Sequence, residues 1–290
     1  MSQTIAIIFD FDDTLLPDST SELLESRGID SMEFWRTEAK ALLDRGYDPT
    51  HAYLNLILDR VGEKKELGPL SNKALSEFGA TLDETFYPGV KSLFRDLKKV
   101  VAGVSDQLSI EFYIISGGLQ AVMDGSPFIK ENFTATYGCQ FGECPETGLI
   151  KNIKRAITFT EKTRYLFEIN KGITPGDTQE NQYVVNIDVN ERERRIPFKN
   201  MIYLGDGHTD VPCFSLVKKN GGIAFGIFRP GEESSARKAF LDFLRTDRVL
   251  STHAPRYTKT AELGALLRIA VRNIADRIIV DRKQAEAELY

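Results

Sequence analysis

Short apolar runs recur along the chain. Ile5-Ala6-Ile7-Ile8-Phe9 is the first, followed by Glu111-Phe112-Tyr113-Ile114-Ile115, Asn200-Met201-Ile202-Tyr203-Leu204 and the Gly222–Phe228 stretch. Each is too short for a buried helix and rich in β-branched or aromatic residues, so each predicts a strand covered on both faces. Phe133-Thr134-Ala135-Thr136-Tyr137 is a weaker candidate. Helical periodicities fill the intervals, and the alternation predicts an α/β chain with a Rossmann-like, doubly wound parallel sheet.

The stretch from 17 to 86 breaks that alternation. It contains no strand-like run but several helix starts: Ser31 as a cap, Asp48-Pro49 as cap and first helical residue, and Ser71 as a further cap. It is read as a small α-helical cap inserted after the first strand. Residues 1–16 and 87–290 are then the α/β core. Tyr87-Pro88-Gly89 opens the helix that returns the chain to the sheet. Tyr183–Val189 alternates within an otherwise polar segment, 172–198, and predicts a hairpin or an extension of the sheet edge. From Thr260 to Tyr290 runs one amphipathic helical pattern, expected to pack on the core or on a partner.

Composition narrows the partners. The chain has 290 residues and a formal net charge of −5, which gives no general attraction to nucleic acid or to an anionic membrane. Any phosphate site must therefore be built locally. Three cysteines make no disulfide framework, and Cys139 and Cys144 lack the further ligands that would complete a metal site. Residues Met1–Ile5 show neither a basic region nor a cleavage site, so a cytoplasmic setting is the expectation.

The chemistry collects where the runs end. The first leads into Asp10-Phe11-Asp12-Asp13-Thr14, the second into Ser116-Gly117-Gly118, and the third into Gly205-Asp206-Gly207-His208-Thr209-Asp210. Taken singly, each is open to a plainer reading as a turn, a cap or a loop. In an open parallel sheet, however, ligands bind beyond the carboxyl ends of the strands, and three strands would bring carboxylates, a hydroxyl and bare backbone to one edge.

In these residues the chain resembles the haloacid dehalogenase-like (HAD) hydrolase superfamily, over roughly residues 5–230. The family's first motif, Asp-x-Asp-x-Thr, is matched by Asp10, Asp12 and Thr14. Its strand-ending Ser or Thr is matched by Ser116, with Gly117 after it. Its Gly-Asp-x-x-x-Asp is matched by Gly205, Asp206 and Asp210. The family's lone lysine is best matched by Lys162, with Lys154 and Lys151 as competitors. The helical insertion is similar to the cap of the phosphoserine-phosphatase-like branch.

The resemblance implies a Mg²⁺-dependent phosphatase acting on a small phosphorylated metabolite. Asp10 would be the nucleophile, carrying an aspartyl-phosphate, and Asp12 the general acid and base. Ser116, Gly117 and Lys162 would bind the transferring oxygens. The carboxylates of Asp10 and Asp206 and the backbone carbonyl of Asp12 would hold Mg²⁺, with Asp210 in support. His208 is a metal ligand by residue type only, since Mg²⁺ prefers oxygen. Phosphotransfer or mutase chemistry is a second reading; an inactive phosphate-binding regulator is a third, set against the presence of Asp10, Asp12 and Asp206. Trp35, Arg36, Arg45, Tyr47, His51 and Tyr53 are the cap residues available to meet substrate.

Overall fold

A computed structural model describes residues 3–287. The apolar runs become strands β1 (Thr4–Phe9), β2 (Ser109–Leu119), β5 (Met201–Gly205) and β6 (Ile223–Ile227). With β3 (Ala135–Glu143), β4 (Ile150–Arg155) and β7 (Ser251–His253) they form one sheet in the order β4-β3-β2-β1-β5-β6-β7. Every pairing is parallel except β3 with β4. β1 lies between β2 and β5, and its Ile5–Phe9 side chains are wholly buried.

Helices cover both faces. Val90–Ala102 and Glu262–Ala287 pack together against β1 and β2, while Glu161–Lys171 and Val211–Lys219 pack together against β2, β5 and β6. The C-terminal helix thus docks on the core, burying Leu263, Leu267, Val271, Ile274 and Ile278. It is described to Ala287; residues 288–290 of the expected span lie outside the described residues. From β1 the chain runs outward through β2 and β3 to one side, then returns to build β5, β6 and β7 on the other. The reversal puts a crevice at the carboxyl ends of β1, β2 and β5.

Between Leu15 and Tyr87 the structure is helical. Asp18 caps Ser19–Ser26, Asp48 caps Pro49–Asp59 with Pro49 at the first turn, and Ser71 caps Asn72–Thr81. The helical stretch 31–44 is capped by Asp30, which accepts from the Met32 and Glu33 N–H groups, and not by the expected Ser31, whose hydroxyl donates to Glu25 instead. Its residues Phe34–Ala39 widen into π-helical turns.

The segment leaves and rejoins the core at one place. The Tyr87 N–H donates to the Leu15 carbonyl at 2.8 Å, the Tyr257 hydroxyl to the Thr14 carbonyl at 2.7 Å, and the Tyr257 N–H to the Pro88 carbonyl at 2.8 Å. Gly89 next to this junction has φ 92°, and a Cβ there would stand 2.3 Å from the Thr258 nitrogen, so the close passage of the two backbones requires glycine.

Two further expectations change. The Tyr183–Val189 stretch forms no strand: Val184–Asn186 is a single 3₁₀ turn. The Lys171 ammonium takes the Val185 and Ile187 carbonyls at 2.6 and 2.7 Å, groups that a ladder would otherwise have used. The weak strand at Phe133–Tyr137 starts only at Ala135 and continues to Glu143. β4 and β7 carry no apolar run; β4 holds exposed Lys151 and Lys154, as suits an edge, and β7 has three residues. Among the described residues, no helix is long and apolar enough to cross a membrane.

Candidate active site

Asp10 follows directly on β1, and its N–H still donates to the Leu204 carbonyl of the neighbouring strand. One carboxylate oxygen accepts from the Phe11 N–H at 2.7 Å, and the other lies 2.9 Å from the Lys162 ammonium. Asp13 then turns the backbone through φ 55°, the left-handed region where aspartate is among the better-tolerated residues. Its carboxylate is paired with the Arg229 guanidinium. Asp12 points elsewhere. It accepts from the Ser19 N–H at 2.8 Å, at the start of the first inserted helix.

Lys162, in the first turn of Glu161–Lys171, is completely buried. Besides Asp10 it contacts Asp210 at 2.7 Å. Its competitors Lys151 and Lys154 sit on the exposed edge strand. Asp210 is also completely buried and is held by three groups: Lys162, the Tyr203 hydroxyl at 2.7 Å and the Gly207 N–H at 2.9 Å. Asp206 lies 3.6 Å from the Lys238 ammonium. His208 turns out to solvent and meets Asp242 at 2.9 Å, away from the carboxylates.

At the end of β2 the pairing with β3 is interrupted between Ile115 and Leu119, which frees Ser116-Gly117-Gly118 from the ladder. The Gly118 N–H donates to the Ser116 hydroxyl oxygen at 2.9 Å. A Cβ on Gly118 would stand 2.4 Å from an Asp12 carboxylate oxygen and 3.2 Å from the Ser116 hydroxyl. Asp12 therefore rests against bare backbone. Gly118→Ala is expected to displace it and to cut turnover about a hundredfold while the melting temperature changes by only a few degrees. Steady-state kinetics beside a thermal melt would check this.

Electrostatics follow from crowding. Burial first, then Asp210, push the Asp10 carboxyl up to about 7, against the pull of Lys162. Burial also takes Asp206 up to about 7 against Lys238. Asp12 is raised well above the usual carboxylate range by burial and then by Asp18. Burial works against the charge on Lys162, yet Asp10 and Asp210 hold its ammonium well above the usual lysine range.

Asp10, Asp206 and Asp210 each offer an oxygen within 4.8 Å of the others. Such a group of carboxylate oxygens is the donor set that Mg²⁺ prefers, and burial raises Asp10 and Asp206 in spite of the Lys162 and Lys238 ammonium groups beside them. The residues fit a divalent cation. Asp12's carboxylate does not join the group.

A cleft of about 200 Å³ opens over these residues, walled by Asp10, Asp12, Ser116 and Asp206 and roofed from the helical segment by Trp35, Thr50 and Tyr53. An outer groove of about 710 Å³ continues from it past Asp13, Asp18 and Trp35 to Arg36, Tyr87 and Arg229. Arg45 and Tyr47 stack on each other outside both, and His51 pairs with Asp48. Sequence reasoning missed Tyr203, Arg229, Lys238 and Cys139. A tyrosine in the middle of an apolar strand needs a hydrogen-bond partner, which was a usable signal for Tyr203. Arg229 and Lys238 follow β6, whose carboxyl end faces the same crevice. Nothing in the sequence marked Cys139.

No protein-family model matches the chain. An uncharacterized protein of Borreliella burgdorferi is 31% identical over 283 residues, covering 89% of this chain and 93% of that protein. Among solved structures, a HAD family hydrolase from Salmonella enterica serovar Typhi superposes with TM-score 0.53 at 16% identity, over 87% of this chain and 67% of that one. A Bordetella pertussis protein of unknown function gives TM-score 0.51 at 14% identity, over 87% and 99%. The chain belongs to the same family as the Borreliella protein, and its fold is similar to that of the Salmonella HAD family hydrolase.

Proposed function

We propose that this protein is a Mg²⁺-dependent phosphatase that hydrolyses a small phosphomonoester through an aspartyl-phosphate on Asp10. The observation that carries the reading is the division of labour between two aspartates. Asp10 is gripped by Lys162 and a backbone N–H, whereas Asp12 stands apart, half-buried on the Ser19 N–H, with its carboxyl raised well above the usual carboxylate range.

An Asp10 oxygen attacks phosphorus as the ester P–O bond breaks, and Asp12 gives its proton to the departing alcohol. Water then attacks the phosphorus, Asp12 takes the water's proton, and the bond to Asp10 breaks. Ser116, the Gly117 N–H and Lys162 bind the transferring oxygens. The carboxylates of Asp10 and Asp206 and the Asp12 carbonyl, with Asp210 in support, would hold Mg²⁺, which neutralises the repulsion between nucleophile and phosphate. The residues from 17 to 86 serve as the cap, and a cleft of about 200 Å³ under Trp35 and Tyr53 favours a small metabolite. We place this activity in the cytoplasm, where the three unpaired cysteines stay reduced.

The test is phosphate release from an aryl phosphate and from a panel of phosphorylated metabolites, with Mg²⁺; no release from any of them rejects the reading. The acid role has its own signature. Asp12→Ala is expected to slow an alkyl phosphate about a thousandfold, but an aryl phosphate with a good leaving group only about tenfold, because a phenolate needs little protonation. Equal losses on both would remove Asp12 from that role.

A further inference from the structure

The phosphate-binding hydroxyl of Ser116 is oriented from the helical segment through a single peptide group. The peptide joining Gly117 to Gly118 has its carbonyl on one side and its N–H on the other. The carbonyl accepts two hydrogen bonds, from the Tyr53 hydroxyl and from the Cys139 thiol at 3.1 Å. The N–H donates to the Ser116 oxygen at 2.9 Å. Because a peptide is planar and trans, fixing the carbonyl fixes the N–H. With its oxygen accepting from Gly118, the Ser116 hydroxyl has its own proton to give to an incoming phosphate.

This peptide needs holding. It lies between two glycines, in the interrupted part of the β2–β3 pairing, so neither a side chain nor the ladder resists its rotation. Tyr53 comes from Pro49–Asp59, the helix that roofs the cleft, and is 6% exposed. Burial first of all keeps its phenol far above the usual range, and burial pushes the Cys139 thiol up to about 11, so both remain protonated donors. The same helix makes a second contact with the core: the Thr50 hydroxyl donates to the Ile157 carbonyl at 3.2 Å, and the Ile157 N–H donates to the Cys139 sulfur at 3.2 Å. Tyr53, Gly117, Cys139, Ile157 and Thr50 thus make one connected set.

We propose that Tyr53 is a positioning residue: seated on the core, it locks the Gly117–Gly118 peptide in the orientation that lets Ser116 donate to phosphate, so that closure of the helical segment and assembly of the phosphate site are one event. The inference rests on the phosphatase reading for its ligand and goes beyond it in linking cap to loop.

Tyr53→Phe removes only the hydroxyl and keeps the ring that packs 5.6 Å from Trp35. Titration with inorganic phosphate in the presence of Mg²⁺ is expected to show about tenfold weaker binding, with an unchanged affinity for Mg²⁺ itself. In a Ser116→Ala background the same change is expected to cost less than twofold, since the effect acts through Ser116. Cys139→Ser, which keeps a donor to the Gly117 carbonyl, is expected to bind phosphate within about twofold of the wild type. Undiminished phosphate binding by Tyr53→Phe overturns the proposal, as does an equal loss with and without the Ser116 hydroxyl. A wild-type chain that binds phosphate but turns over no ester rejects hydrolysis alone, because the titration still compares the variants.

Discussion

Asp10→Asn is expected to lower turnover of an aryl phosphate by about 10⁴-fold or more and to leave the protein folded. The carboxamide has nearly the shape of the carboxylate and can still accept from the Phe11 N–H. Its oxygen, however, is a poor nucleophile toward phosphorus, and the acyl-phosphate proposed to split hydrolysis into two easier steps could not form. The fold tolerates the change because Lys162 keeps Asp210 as its partner at 2.7 Å. Asp10 itself gives up charge readily, its carboxyl having been lifted to about 7 by burial and Asp210. The change in melting temperature is expected to stay within a few degrees of wild type. Kinetics with circular dichroism on one sample decides the matter. Turnover near the wild-type rate would leave Asp10 without its role, whatever the fold.

Divalent cation is expected to raise the melting temperature by roughly 5–10 °C at pH 8 and hardly at all near pH 5. The sign comes from linkage. Burial raises both Asp10 and Asp206 to about 7. Unfolded aspartate titrates near about 3.9. From about pH 4 to 7 the metal-free folded chain therefore holds more protons on these groups than the unfolded chain does. Their contribution to stability is present in acid and is lost as the pH climbs through that window. A cation that binds only the folded, ionised cluster restores it, and below the window it must compete with protons. Asp206→Asn should abolish most of the cation-dependent rise. Melts with Mg²⁺ and with a chelator at both pH values test this. A rise of equal size at pH 5, or one that survives in Asp206→Asn, would dissociate the cluster from metal. Turnover is expected to fall to background after chelation and to return with Mg²⁺.

Much of this architecture was legible in the linear pattern because the core strands are continuous apolar runs, and such runs have one plausible home in a sheet covered on both faces. The residues that follow them inherit a common address at the sheet's carboxyl edge. Asp10, Ser116 and Asp206 are therefore grouped by the linear pattern alone. Lys162 was harder, since a lysine on a helix looks alike in water and in a core; only its burial between two carboxylates tells it from Lys151 and Lys154. Tyr183–Val189 misled because alternation marks a strand only where a neighbour offers a free edge, and here Lys171 claims the carbonyls. Ser31 was overtaken by Asp30, one residue earlier, a difference too fine for cap statistics. Tyr53 was legible only as a cap residue that could meet substrate, and the contacts that it and Cys139 make were invisible, because their partner is a main-chain carbonyl 64 and 22 residues away, and backbone carries no sequence signature.

The junction at Leu15, Tyr87 and Tyr257 bears on how such a chain changes over time. Departure and return share a doorway, closed by the hydrogen bond from Tyr87 to Leu15 and bolted by Tyr257. Whatever hangs outside that doorway can be lengthened, trimmed or traded without respacing β1 against β2. The scaffold that carries the carboxylates and the accessory that covers them are therefore free to follow separate histories.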